Sequence, residues 1–159
     1  MSSMVKDFHM ELSLPVPVEK LYEAISTEEG VRKWWTQFAN VGNEIGSTAE
    51  FSFPKAGFYV RAEILSLQPN QLVEWKVFDS MHPEASGFSN LRDWEGTIIR
   101  FELGEDSEDK SVLNFTHIGL SEELECYQVC ERGWNSYLSS LQQLLVSGVG
   151  NPYKTDSGN

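Results

Sequence analysis

From Val5 to Leu14, Phe8, Met10, Leu12 and Leu14 alternate with Asp7, His9, Glu11 and Ser13. A period of two over this length predicts a half-buried strand. Pro15 and Pro17 stop it, and Pro17 suits the first turn of a helix. Val18, Leu21, Tyr22 and Ile25 follow at helical spacing and predict a short amphipathic helix. Ser26 and Glu29 stand at capping-box spacing for a second helix, with Val31, Trp34 and Trp35 as its apolar stripe.

Five strand signals come next. Ala49, Phe51 and Phe53 alternate up to Pro54, and Phe58 to Leu67 is apolar and β-branched. Val73, Trp75 and Val77 alternate, as do Thr97, Ile99, Phe101 and Leu103, and then Leu113, Phe115 and His117. Gly104 to Lys110 is a polar connection, and its acidic run, Glu105 to Asp109, reads as a solvated hairpin tip. Between Asp79 and Asp93 lies the longest irregular stretch. Met81, Phe88 and Leu91 are spaced through it, which predicts a lid folded over one end of the domain.

The period turns helical from about Glu122 to Val146. Tyr127, Cys130, Trp134, Tyr137, Leu138, Leu141, Leu144 and Leu145 fall on one arc, with Gly148 and Pro152 ending the helix. Sequential strands with short connections favour an antiparallel meander, whose face must be covered. Only the final helix is long enough. The expected fold is therefore α+β: a curved antiparallel sheet of about six strands, two short helices after the first, and a long C-terminal helix gripped by the sheet. One domain is expected over 5–147, with a flexible polar tail over 148–159.

Twelve basic residues against 24 acidic give a net charge of −12. That field repels a phosphate backbone, and the basic residues are scattered singly, so nucleic acid and membrane are not expected partners. No apolar run has membrane-spanning length and no signal-type apolar segment opens the chain, so a cytoplasmic protein is expected. Nine Phe, five Trp and five Tyr either fill a ring-rich core or line a cavity.

Candidate chemistry is sparse. Trp34 and Trp35 are adjacent, so on a helix they point about 100° apart and only one is expected fully in the core. Phe51, Phe53, Trp75, Phe101, Phe115, Trp134 and Tyr137 converge between sheet and helix, as a solid core or as the wall of an apolar cavity. His117 shares the inward phase of Leu113 and Phe115. No acidic residue stands at a neighbouring inward position to orient it, so it reads as a hydrogen-bonded structural histidine. His9 and His82 read as surface. Cys126 and Cys130 share a helix face without a completed zinc spacing and read as core, so no metal is expected. There is no phosphate-cradling loop and no hydrolase motif.

Several segments together resemble the SRPBCC superfamily, the START and birch-pollen-allergen-like helix-grip proteins. The nearest likeness is to the branch related to the activator of heat-shock-protein ATPase. They are Pro17 to Ile25, Glu29 to Trp35 with its paired Trp, Leu113 to Leu120, and Gly133 to Leu138 followed by Leu141. The chain departs from relatives at Gly46-Ser47 and in the length of Asp79 to Asp93. The superfamily holds lipid carriers, hormone receptors, cyclases and co-chaperone domains, and has no shared catalytic motif. The resemblance implies a binding domain for a small apolar or aromatic ligand, without cofactor or assigned catalytic residue. Trp34, Trp35, Phe51, Phe53, Trp75, Phe101, Phe115, His117, Trp134 and Tyr137 are its candidate ligand-binding residues. The alternatives are a chaperone-contacting domain, which the short chain disfavours, and a cyclase- or hydratase-type enzyme.

Overall fold

The computed structural model describes residues 7–154. Among them, seven strands form one antiparallel sheet in the order β1-β7-β6-β5-β4-β3-β2. Strand β1 (Asp7–Leu14) leads into helices α1 (Val18–Ser26) and α2 (Glu28–Trp34). There follow β2 (Ala39–Val41), β3 (Thr48–Phe53), β4 (Phe58–Gln68), β5 (Leu72–Met81), β6 (Ile98–Ser107) and β7 (Lys110–Ser121). Helix α3 (Tyr127–Ser147) closes the fold. Register shifts in the β4–β5 pairing, between Arg61 and Ala62 and between Ile64 and Ser66, mark bulges that bend the sheet. The α+β helix-grip architecture is that expected from the sequence.

The strand periodicity decides which side chains face α3. Phe51 and Phe53, Val73, Trp75 and Val77, Ile99 and Phe101, and Leu113, Phe115 and His117 are all buried. From α3, Cys130, Trp134, Leu138 and Leu141 are buried against them. Gly30 lets α2 close on α1, because a Cβ there would stand 2.5 Å from the Ala24 carbonyl oxygen. Trp34 seals the same contact by donating its indole N–H to Ala24 O at 2.9 Å.

Several boundaries differ from the sequence reading. There are seven strands rather than about six, because β2 is three residues long and too short to show a period. The cap of α2 is Thr27, not Ser26: Thr27 Oγ1 accepts from Gly30 N at 3.0 Å, while Ser26 turns back to donate to Tyr22 O. Helix α3 begins at Tyr127, because 121–126 form turns closed by Leu124 N on Ser121 O and Tyr127 N on Leu124 O. The acidic residues Glu105 and Asp106 belong to β6, and the hairpin tip shrinks to Glu108 and Asp109. Asp79 to Met81 complete β5, so the irregular segment starts at His82. Val5 and Lys6 lie outside the described residues.

Two larger corrections concern packing. Trp34 and Trp35 are both buried, with their rings stacked at 5.9 Å between centroids. The angular argument fails because both directions lead into the core: Trp34 meets Phe101 and Ala24, and Trp35 meets Phe51, Trp75 and Trp134. The stretch after α3 is also fastened down as far as Tyr153. Tyr153 N donates to Trp35 O at 2.8 Å, Gln37 N donates to Tyr153 O at 3.1 Å, and Lys55 N donates to Tyr153 Oη at 2.7 Å. Residues 155–159 of the expected tail lie outside the described residues.

Candidate functional site

A cleft of about 410 Å³ opens between α3 and the loop that follows β5. Trp35, Phe53, Trp134 and Tyr137 form one wall. Phe58, His82, Pro83, Phe88 and Trp94 continue the lining, with Trp94 stacked on Trp134 and Phe58 packed on Phe53. Val129, Cys130 and Gly133 line it from α3, and Ala56, Ser86 and Tyr153 complete the lining. Gly133 has a specific effect here: a Cβ built on it meets nothing within 4 Å, so the missing side chain leaves open space.

The loop of residues 82–97 is ordered by interactions at both ends. Gly87 takes φ 80°, a left-handed conformation that suits glycine, after a single helical turn over Glu84–Ser86. Glu125, just before α3, accepts from Ser89 N at 2.6 Å and Asn90 N at 3.3 Å. At the other end Arg92 donates to Asp79 at 2.9 Å and to Glu95 at 3.1 Å. Trp94 lies in the interior, stacked on Trp134 at 6.0 Å and edge-on to Phe58 at 5.2 Å. Of the three apolar residues expected to form a lid, Phe88 lines the cleft. Met81 belongs to β5, and Leu91 holds the loop through its carbonyl, which accepts from His82 N at 2.8 Å.

His82, expected at the surface, is 5% exposed. Its ring stacks on Phe58 at 5.0 Å and its Nε2 bonds Asp93 Oδ1 at 2.9 Å. Burial opposes its protonation, but the bonds to Asp93 and Cys126 outweigh that and raise its pKa to about 9. Cys126 and Cys130 are buried, with Cys130 Sγ donating to Cys126 Sγ at 2.8 Å. The neighbouring sulfur and burial push the Cys126 pKa up, so it is a thiol here.

His117 sits deeper, wholly buried. Trp134 Nε1 can only donate, and it donates to His117 Nδ1 at 3.0 Å. The proton of the neutral ring is thus on Nε2, which donates to Thr97 Oγ1 at 2.9 Å. Thr97 passes the chain on to Trp94 O at 2.6 Å. Burial lowers the His117 pKa to about 3. Both nitrogens are spent on structure, which leaves His117 no lone pair for a substrate.

Of the ten candidate ligand-binding residues, Trp35, Phe53, Trp134 and Tyr137 line the cleft. Trp34, Phe51, Trp75, Phe101, Phe115 and His117 do not, because their rings pack against one another behind that wall. Trp75 and Phe101 lie 5.0 Å apart, Phe101 and Phe115 5.1 Å, and Phe51 and Trp75 5.0 Å. The sequence reading missed Phe58, His82, Trp94, Gly133 and Tyr153. Only the aromatic content of the long loop signalled that half of the wall.

The sequence profile described as "Activator of Hsp90 ATPase homolog 1-like protein" matches residues 15–146. The chain belongs to this family. Among solved structures, the Aha1 dimer from Colwellia psychrerythraea superposes with a TM-score of 0.73 at 30% identity. That match covers 91% of this chain and 98% of the Colwellia chain. Protein SSP2350 from Staphylococcus saprophyticus superposes with a TM-score of 0.69 at 19% identity, covering 91% and 95% of the two chains. Protein MLL2253 from Mesorhizobium loti gives 0.68 at 19%, covering 87% and 96%. The last two likenesses speak for the helix-grip fold alone. No curated protein sequence matches the chain. No described helix is long and apolar enough to cross a membrane.

Proposed function

We propose that the protein binds a small apolar or aromatic molecule in the cleft between α3 and the loop of residues 82–97. The observation that carries this reading is the cleft itself: about 410 Å³, walled by Trp35, Phe58, Phe88, Trp94 and Trp134. Small-molecule sites are concave and mostly apolar, with a few convergent polar groups. His82, Ser86, Tyr137 and Tyr153 are those groups here. Of the ten contacts expected from the sequence, Trp35, Phe53, Trp134 and Tyr137 are ligand-facing in this reading. Cys126 and Cys130 are free thiols, which suits a reducing cytoplasm.

Native mass spectrometry of freshly purified protein tests this, combined with titration of anilinonaphthalenesulfonate followed through tryptophan energy transfer. A co-purifying small molecule, or saturable binding of one probe per chain that Trp94→Ala weakens, is expected. Non-saturable probe binding with no bound molecule would overturn the reading.

The second reading is activation of a chaperone ATPase. The 30% identity with the Colwellia Aha1 over 91% of this chain favours it. That relative is itself covered over 98% of its chain, so length does not separate the two readings. Measuring the ATPase rate of an Hsp90-type chaperone with and without the protein decides this one. A stoichiometric rise in rate would support it, and an unchanged rate would remove it.

A further inference from the structure

Behind the cleft wall, the start of α3 meets the two ends of the loop, and one atom each from His82, Cys126 and Cys130 lies within 4.8 Å of the others. We propose that these three side chains form a zinc site of the Cys₂His type, with its fourth position open to the cleft.

The donor set is the first argument. Two sulfurs and an imidazole nitrogen are the ligands that zinc takes in tetrahedral sites. Zn–S bonds of about 2.3 Å and Zn–N bonds of about 2.0–2.1 Å separate such donors by roughly 3.5–3.8 Å. The two sulfurs now stand 2.8 Å apart, so rotations about their Cα–Cβ bonds must part them by roughly 1 Å. Cys126 and Cys130 stand one helical turn apart and project to the same side. With Nε2 held by Asp93, Nδ1 of His82 is the nitrogen left to ligate.

The surroundings are the second argument. Metal-bound histidines characteristically give their other nitrogen to a carboxylate, and Asp93 Oδ1 occupies that position at 2.9 Å. Trp94 Nε1 donates to Cys130 Sγ at 3.2 Å, the contact that supports a thiolate. Asp93 Oδ2 is buried without a hydrogen-bond partner, a negative atom that gains from a nearby cation. A pair of packed thiols requires neither a buried carboxylate nor an imidazole. A disulfide is disfavoured, since neighbouring turns of one helix hold cysteines in poor geometry for it.

Accessibility is the third argument. His82 and Cys130 line the cleft, whereas Cys126 does not. The site therefore borders the cleft of the proposed function, and a fourth ligand can reach it from that space. Water or a donor atom of that molecule completes the tetrahedron. Binding releases the two thiol protons, and the His82 Nδ1 proton where present, to solvent.

Cobalt substitution is the test, on full-length protein kept reduced with a phosphine, stripped with a chelator and desalted. Thiol titration after denaturation first establishes that Cys126 and Cys130 are both reduced. Titration with Co²⁺ is expected to give an intense sulfur-to-cobalt charge-transfer band and the visible bands of tetrahedral cobalt, both removed by stoichiometric Zn²⁺. Cys126→Ser and Cys130→Ser are each expected to lose at least half of the charge-transfer intensity. Asp93→Asn is expected to weaken Zn²⁺ binding by about 10–100-fold, read by competition with a chromophoric chelator. The wild-type spectrum needs no variant, so a misfolded mutant does not blunt the test. Reduced wild-type protein that develops no charge-transfer band overturns the proposal, as does a folded Cys126→Ser protein that keeps the band at full intensity.

Discussion

Trp134 donates its indole N–H to His117 Nδ1 at 3.0 Å, tying the middle of α3 to the last strand of the sheet. The same ring, through Thr97, reaches the carbonyl of Trp94. Helix, sheet and cleft wall are thus joined by one chain of hydrogen bonds through a neutral imidazole. Buried polar chains of this kind are costly when broken.

Acid should break this one first. The His117 pKa is about 3 in the fold against 6.5 for an ordinary histidine. Between those values the unfolded state binds the extra proton, so stability rises with pH. The contribution is complete above pH 6.5 and is lost as pH falls toward 3. By pH 4 the loss is on the order of 3 kcal/mol, since one pKa unit is about 1.4 kcal/mol. His117→Gln keeps a donor and an acceptor but does not titrate. Urea denaturation at pH 7 and pH 4 should show the mutant losing much less stability than the wild type. Parallel losses would mean that His117 is protonated in the native state.

Trp134→Ala should cost roughly 3–5 kcal/mol, as truncation of a buried Trp does. Its ring lies 4.6 Å from Phe115 and 5.0 Å from Trp35, and its removal leaves His117 Nδ1 without a donor. Typical domains have only about 5–15 kcal/mol in total, so the variant should unfold at much lower denaturant. A loss below about 1 kcal/mol would mean that the sheet does not grip α3.

The fold was legible because its elements carry strong periods. Phe51, Trp75, Phe101 and Phe115 alternate with polar residues, and Trp134, Leu138 and Leu141 repeat at helical spacing. The site was half legible. Inward phase identifies which rings face α3, but not which of them leave a gap. That depends on the fit of Trp75 against Phe51 and Phe101, a three-dimensional property. His82 was misread because its partners are distant in sequence: Asp93 across the loop and Cys126 beyond two more strands. A loop position with no local period gives no sign that it turns inward.

The Glu125 carboxylate is an exposed clasp on the loop of residues 82–97. Glu125→Ala removes the acceptor of the Ser89 and Asn90 amides, so these two should exchange hydrogen faster. Global stability should move by no more than about 0.5 kcal/mol, as for surface changes away from the core. The dissociation rate of a bound aromatic probe, followed by stopped-flow fluorescence, should rise. Unchanged probe kinetics alongside faster amide exchange would mean that the loop does not gate the cleft.

Gly133 offers the cleanest separation of fold from function. It lies inside α3, where glycine is poorer than alanine by about 0.5–1 kcal/mol because it loses more backbone freedom on folding. It also lines the cleft, and an added Cβ would meet no atom within 4 Å. Gly133→Ala should therefore raise stability by about that amount while leaving most of the space open. Gly133→Leu should keep the helical gain and push a branched side chain between Trp134 and the loop. Denaturation curves should then show both variants at least as stable as the wild type. Probe titration should show Ala binding nearly normally and Leu binding weakly or not at all. A Leu variant that is stable and still binds the probe with wild-type affinity would place the binding site elsewhere on the molecule.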